Sequence, residues 1–123
     1  MSVTFISMDA IMFDIDDTLI KVSDGKVIQP MVDLLRRSKM AGYTIIIITA
    51  RPWYPDNIRY TKRQLATKGI TYDQLHFCYP QDKTILKKTL INRGYRFVLS
   101  VGDQPTDLTD SDNYINTSIY CRS

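Results

Sequence analysis

Residues 13–19 read FDIDDTL and carry three aspartates, Asp14, Asp16 and Asp17, directly after the apolar run AIMF. Carboxylates crowded at the edge of a core repel one another and lose hydration. A divalent cation offsets both effects, and an all-oxygen ligand set suits Mg²⁺. Two other apolar runs end in polar groups in the same way. Thr49-Ala50-Arg51 closes the stretch that begins YTIIII, and Gly102-Asp103-Gln104-Pro105-Thr106-Asp107 follows FVLSV. Brought together, these groups could transfer a phosphoryl group. Carboxylate oxygens of Asp14, Asp16 and Asp103, a backbone carbonyl and waters would hold Mg²⁺. One ionised carboxylate could attack phosphorus, and the other could hold a proton for the leaving oxygen. Thr49 offers a hydroxyl to a phosphate oxygen, and a nearby lysine would neutralise the group in transfer.

Such groups converge only if the chain stacks its apolar runs side by side. Strands are expected at 10–14, 43–49, 75–79 and 97–101, with a short final strand at 118–121. Helices are expected at 30–41, 57–68 and 83–93. Pro30 suits the first helical turn, and Met31, Leu34, Leu35 and Ser38 form a stripe on that helix. Gly42, Gly69 and Gly94 each stand where a helix ends and a strand-like run begins. The polar stretch KVSDGKVIQ, with Asp24-Gly25, is expected to form a small hairpin. Strands alternating with helices imply a mostly parallel sheet with right-handed crossovers. TIIII and FVLSV lack polar alternation, as strands covered on both faces do. Ligands of such sheets bind beyond the carboxyl ends of the strands, where the polar clusters lie.

The chain has 123 residues, which fits one domain, 1–123, with a core large enough to need no disulfide framework. Cys78 and Cys121 are read as reduced thiols. No apolar run is long enough to span a membrane. The first residues lack a basic segment and a small-residue cleavage site, so the expected location is cytoplasmic. The net charge is +3, but the basic residues are bunched: Arg36, Arg37, Lys39; Arg59, Lys62, Arg63, Lys68; and Lys83, Lys87, Lys88, Arg93, Arg96. Solvated helix faces are one reading of these clusters. Attraction of phosphorylated or nucleic-acid substrates toward an acidic centre is the other.

The motifs resemble those of the haloacid dehalogenase (HAD) superfamily. FDIDDTL resembles its first motif, D-x-D-x-T after an apolar strand. IIIITAR resembles the second, and VLSVGDQPTDL resembles the fourth, G-D-x-x-x-D. The third motif is a lysine, for which Lys83, Lys87 and Lys88 compete. KTILKKTLINRGYRFVLSVGDQPTDL is similar to the acid phosphatase branch, subfamily III, and in that register the lysine is Lys83. YTKRQLATKGITYDQLHF also resembles a segment of that branch. The resemblance runs from about Ala10 to Leu108. It implies a Rossmann-like three-layer α/β/α sandwich with about five strands and an Mg²⁺-dependent phosphatase that works through an aspartyl-phosphate. Asp14 would be the nucleophile and Asp16 the general acid and base. Thr49, Ala50, Arg51 and Lys83 would bind the phosphoryl group. Asp14, Asp16 through its carbonyl, Asp103 and Asp107 would hold the metal, Asp107 through water.

Members of the superfamily often carry a cap domain, but fifteen positions separate Thr18 from Asp33, too few for one. A capless site suits a macromolecular substrate or borrows its cover from a second copy, so a homo-oligomer stays open. The expected substrate is a phosphorylated small molecule, such as a nucleotide, or a phosphorylated macromolecule, with no membrane partner. Polynucleotide 3′-phosphatase domains share the fold and a similar second motif, which makes nucleic-acid ends the alternative. A non-catalytic binding or storage protein is the alternative of another class. Some residues keep two readings at this stage. Asp17 faces water or binds metal, and Arg51 pairs with a surface carboxylate or with phosphate. Trp53, Tyr54 and Tyr60 pack against a helix or form a stacking platform. His76 is read as structural.

Overall fold

The computed structural model describes residues 8–121. Five strands form one sheet: β1 (Met8–Phe13), β2 (Thr44–Thr49), β3 (Gln74–Phe77), β4 (Tyr95–Gly102) and β5 (Asn113–Asn116). They lie in the order β3-β2-β1-β4-β5, and every pair is parallel. Three helices connect them: α1 (Gln29–Met40), α2 (Pro55–Thr67) and α3 (Lys83–Asn92).

Alternation along the strands explains the layers. Successive side chains point to opposite faces. Ile11 and Phe13 of β1 and Ile45 and Ile47 of β2 pack on one face with Met31, Val32 and Leu35 of α1 and Leu65 of α2. Ala10, Met12, Ile46 and Ile48 point the other way, onto Leu90 of α3 and Phe97. β1 and β2 are therefore apolar on both sides and sit at the centre of a three-layer sandwich. Prolines stand at the starts of α1 and α2. The expected glycines, Gly42, Gly69 and Gly94, follow α1, α2 and α3 with φ of 96°, 70° and 106°.

Strand order reverses at β1. The chain moves outward from β1 to β2 and β3, then returns to place β4 on the other side. A crevice opens at such a switch point, beyond the carboxyl ends of the two diverging strands. Here it lies between Asp14, after β1, and the loop that follows β4. No cap domain covers it among the described residues. The expected hairpin is present but small: Ile20 and Val27 form an antiparallel bridge around Gly25.

One expected element is wrong. Residues 118–121 form a 3₁₀ turn, Ser118–Cys121, and the last strand is β5, Asn113–Asn116. β5 is an edge strand with Tyr114 in solvent and only Ile115 partly buried. It carries almost none of the hydrophobic pattern by which strands are recognised. Its pairing with Leu99 to Gly102 of β4 defines it. Among the described residues no helix is long and apolar enough to cross a membrane.

Ile47 has no exposed surface and touches the α1–α2 layer, whereas Met40 is almost fully exposed. Ile47→Ala should lower unfolding free energy by about 2–5 kcal/mol through lost burial and the cavity left. Met40→Ala should change it by less than about 0.5 kcal/mol. Urea unfolding of the two variants checks this, and equal midpoints would contradict the layer assignment.

Candidate active site

Asp14 is the first residue beyond β1. Its backbone N–H donates to the Val101 carbonyl of β4 at 3.0 Å, which fixes it between the two diverging strands. The side chain is 8% exposed. Across the crevice the loop after β4 makes a one-turn 3₁₀ helix, Pro105–Asp107, closed by reciprocal bonds. The Asp107 N–H donates to the Gln104 carbonyl at 2.9 Å, and Asp107 Oδ2 accepts from the Gln104 N–H at 3.0 Å.

Lys83, the first residue of α3, joins the two. Its ammonium donates to Asp14 Oδ1 at 3.0 Å and to Asp107 Oδ1 at 2.6 Å. All three groups are buried. Burial pulls the Lys83 pKa down, but the Asp14 and Asp107 carboxylates outweigh it and hold the lysine above its ordinary value. Burial pushes the Asp14 carboxyl well above the usual range; Lys83 opposes this, while Asp107 and Asp103 add to it. Of the three competing lysines, only Lys83 reaches Asp14. Lys88 is exposed. Lys87 lies one turn further along α3 and donates to Ser100 Oγ at 2.9 Å, to the Thr109 carbonyl at 2.8 Å and to the Asp107 carbonyl. It props the loop from beneath, and burial lowers its pKa to about 8.

Asp14, Asp103 and Asp107 each bring a carboxylate oxygen within 4.8 Å of the others. This donor set fits a hard divalent cation. Asp107 has one oxygen on Lys83 and the other on the Gln104 amide, so it suits a supporting place better than a direct one. Asp103 is half-buried, and its Oδ2 accepts a long bond from the Gln104 side chain at 3.4 Å.

The Asp16 carboxylate is not in this cluster. Arg51 grips it from two nitrogens, Nε to Oδ2 at 3.1 Å and Nη2 to Oδ1 at 2.9 Å. Arg51 Nη1 donates to Thr61 Oγ1 at 3.2 Å and to Gln64 Oε1 at 2.8 Å, both on α2. The guanidinium, expected at a phosphate, is thus engaged with Asp16 and the helix. No motif of the sequence marks Thr61 or Gln64. The signal for Thr61 was its place on the Thr61–Leu65 stripe of α2, where a buried residue is expected to be apolar. Thr49 is fully buried, and its Oγ1 accepts the Arg51 backbone N–H at 3.2 Å, which leaves its own O–H to donate. Ala50 is exposed at the strand end.

The other residues divide. Asp17 turns the chain at φ 58°, and its Oδ1 accepts the Val22 N–H at 3.0 Å, a structural role. Thr18 is buried against Thr117, Oγ1 to Oγ1 at 2.9 Å, tying the loop after β1 to the chain after β5. His76 pairs with Gln74 at 2.8 Å on β3. Cys78 and Cys121 are free thiols. Trp53, Tyr54 and Tyr79 stand 44%, 59% and 54% exposed and line an open groove of about 590 Å³ with Ala50, Pro52 and Pro55. Tyr60 lines a separate cleft with Asp16, Lys21, Arg51 and Asn57. Among the basic residues, Arg36 reaches the carbonyls of Lys68 and Gly69, while Lys39 and Arg96 pair with Asp73 and Asp112.

Residues 21–120 match the HAD superfamily, subfamily IIIB (acid phosphatase). The matched stretch begins after Asp14 and Asp16, which rest on their own motif and position. No curated protein matches the chain. Two of the solved structures that resemble it are of one kind of assembly. One, described as the structure of a Pnkp1/Rnl/Hen1 complex, is 22% identical with a TM-score of 0.66 and aligns with 92% of this chain. The other, described as the Pnkp1/Rnl/Hen1 RNA repair complex, is 23% identical with a TM-score of 0.64 and aligns with 80%. The chain spans 50% and 37% of those chains. At this identity the likeness establishes the shared fold.

A Cβ added to Gly102 would collide with the Cβ and carboxylate of Asp107. Gly102→Ala should therefore cost about 1–3 kcal/mol and displace Asp107 from Lys83. A wild-type melting curve for this variant would contradict the packing. The raised Asp14 pKa has a consequence for the metal-free protein. Between the ordinary carboxylate pKa and the raised one, the folded state binds more protons than the unfolded state. Stability then falls as pH rises through that window. In chelator, Asp14→Asn should melt above the wild type at pH 7, by about 4 °C for each kcal/mol relieved. The gap should close as pH falls to 4. A variant that melts lower at pH 7 would contradict the sign.

Proposed function

The chain belongs to the HAD superfamily, subfamily IIIB acid phosphatases, and on that premise we propose that it is an Mg²⁺-dependent phosphatase acting on phosphomonoesters through an aspartyl-phosphate. The observation that carries this reading is the buried Lys83 ammonium between Asp14 and Asp107 at the switch point of the sheet. It neutralises the charge that a phosphoryl group would bring, beside the carboxylate placed to attack it.

In this reading Asp14 attacks phosphorus, and the bond to the leaving oxygen breaks. Lys83 holds the rotation of the Asp14 carboxylate through Oδ1. Asp16 gives its proton to the leaving oxygen, which departs as an alcohol. Water then attacks the aspartyl-phosphate and passes a proton to Asp16; phosphate leaves and Asp14 is restored. The Thr49 hydroxyl and the backbone beside Ala50 hold phosphoryl oxygens. Asp14, Asp103 and the Asp16 carbonyl would hold Mg²⁺, with Asp107 behind them. Bound there, the ion would counter charge on the phosphoryl oxygens and keep Asp14 ionised. Arg51 occupies one lone-pair site on each Asp16 oxygen, and the other site on either oxygen can carry the proton. Arg51 then acts as a positioning residue for Asp16.

Within this reading the favoured substrate is a phosphorylated nucleic-acid end. Two features support it: the crevice has no cap among the described residues, and the structural relatives include chains of an RNA repair complex. A cytoplasmic location belongs to the same proposal.

The test is turnover of an aryl phosphate and of a 3′-phosphorylated oligonucleotide with Mg²⁺. Asp14→Asn should lower both by about 10³-fold or more, and EDTA should abolish them. A folded wild-type protein inactive on a broad phosphomonoester panel would sink the reading and favour a non-catalytic binding protein.

A further inference from the structure

Apart from Ala50, the residues of the apolar groove have no part in the chemistry above. Three aromatic rings, Trp53, Tyr54 and Tyr79, line it beside Ala50, Pro52 and Pro55, and all three are about half exposed. Trp53 meets Tyr79 edge-on, with ring centres 4.7 Å apart and planes at 72°. That contact braces the indole without covering it, which is the condition for a third ring to stack. The two rings come from different strand ends, so the sheet itself sets their spacing.

The groove is continuous with the candidate phosphate site. Ala50, in its wall, directly follows Thr49. Thr49 pairs with Phe77 of β3, and the Cys78 N–H donates to the Thr49 carbonyl at 3.0 Å. Cys78 therefore stands level with Ala50, and Tyr79 is the next residue along. Strands lie about 4.8 Å apart, which puts the groove one to two strand spacings from Asp14. That is the span between a terminal phosphate and its own base or the next one.

Charge selects the occupant. α2 starts in the groove at Pro55. Arg59, Lys62 and Arg63 follow at spacings that keep them near one side of the helix, and all are exposed. Asp56 pairs with Arg59, but Lys62 and Arg63 have no acidic partner among the described residues. An apolar peptide would use the rings and ignore this row. A single nucleic-acid strand uses both, stacking its bases on the rings and laying its phosphates along the basic side.

We propose that Trp53, Tyr54 and Tyr79 form a stacking subsite for an unpaired base of the strand whose terminal phosphate reaches Asp14. This rests on the phosphatase reading, and it makes the enzyme selective for single-stranded ends. A base within a duplex is already stacked and paired, and so is closed to these rings.

Trp53 is the only tryptophan of the chain, so its fluorescence reports the groove directly. Three substrates separate the effects: a single-stranded 3′-phosphorylated oligonucleotide, the same strand with its two terminal nucleotides abasic, and glycerol phosphate. The oligonucleotide should quench Trp53, and the abasic strand should not. Trp53→Ala should raise KM for the oligonucleotide about tenfold to a hundredfold. The same variant should leave turnover of the abasic strand and of glycerol phosphate unchanged. Trp53→Phe should restore most of the loss, and Tyr79→Ala should reproduce it in part. Glycerol phosphate turnover without quenching, and with an unaltered oligonucleotide KM in Trp53→Ala, overturns the subsite alone. Equal loss on all three substrates also overturns it. Self-association removed by Trp53→Ala would assign the groove to a second copy and overturn it too. Quenching by the oligonucleotide in a protein that cleaves no phosphomonoester would overturn the phosphatase reading and leave base binding standing.

Discussion

A lysine ammonium buried between two carboxylates ties together the carboxyl ends of β1 and β4. Taking Lys83 out of water is unfavourable, and Asp14 and Asp107 together more than offset it. Each carboxylate needs the lysine in turn, because each is itself buried. The arrangement therefore propagates constraints. Asp107 holds its place through the Gln104 amide and the one-turn helix it closes. That turn fits only because residue 102 has no side chain. Lys87 fixes the loop from below by binding its carbonyls. A cluster with net negative charge and three buried ionic groups contributes little to stability. It stores electrostatic energy that a bound cation would release, which is the arrangement expected of a catalytic centre.

The sheet divides the work across its edge. The β1–β4 side carries the carboxylates, where strand order reverses and a crevice opens. The β2–β3 side carries the aromatic groove. Between them the loop after β2 serves both: Thr49 and Ala50 stand where the phosphate site is proposed, Arg51 reaches back to Asp16, and Pro52 and Trp53 begin the groove. Ten residues, 49–58, thus link Asp14, the proposed nucleophile, Asp16, the proposed proton donor, and the proposed base platform. With no cap domain over the crevice among the described residues, that loop and α2 are what a long substrate would meet first.

Much of this was legible in the sequence, for reasons that differ by residue. Continuous apolar runs marked β1, β2 and β4, because strands covered on both faces need no polar side. Glycines marked the ends of the helices. Asp14, Thr49, Asp103 and Asp107 could be placed at strand ends by position alone. β5 was misplaced, because an edge strand with one partly buried residue has no pattern, and only its pairing with β4 defines it. The polar residues Thr61 and Gln64 looked like ordinary members of a helix surface until Arg51 was seen to cross onto them.

The sequence by itself determined the layer architecture, the polar strand ends and the family, because periodicity and motif spacing are local properties of the chain. Tertiary structure decided which charges meet. Lys83, Lys87 and Lys88 lie within two helical turns and are chemically alike, yet only one reaches Asp14, one supports a loop and one faces water. Asp14 and Asp16 lie two residues apart, yet one meets a lysine from α3 and the other an arginine from the loop after β2. Trp53 and Tyr79, twenty-six positions apart, become neighbours through the pairing of β2 with β3. Such partners are set by distance in space, and electrostatic and stacking energies depend on that distance rather than on separation along the chain.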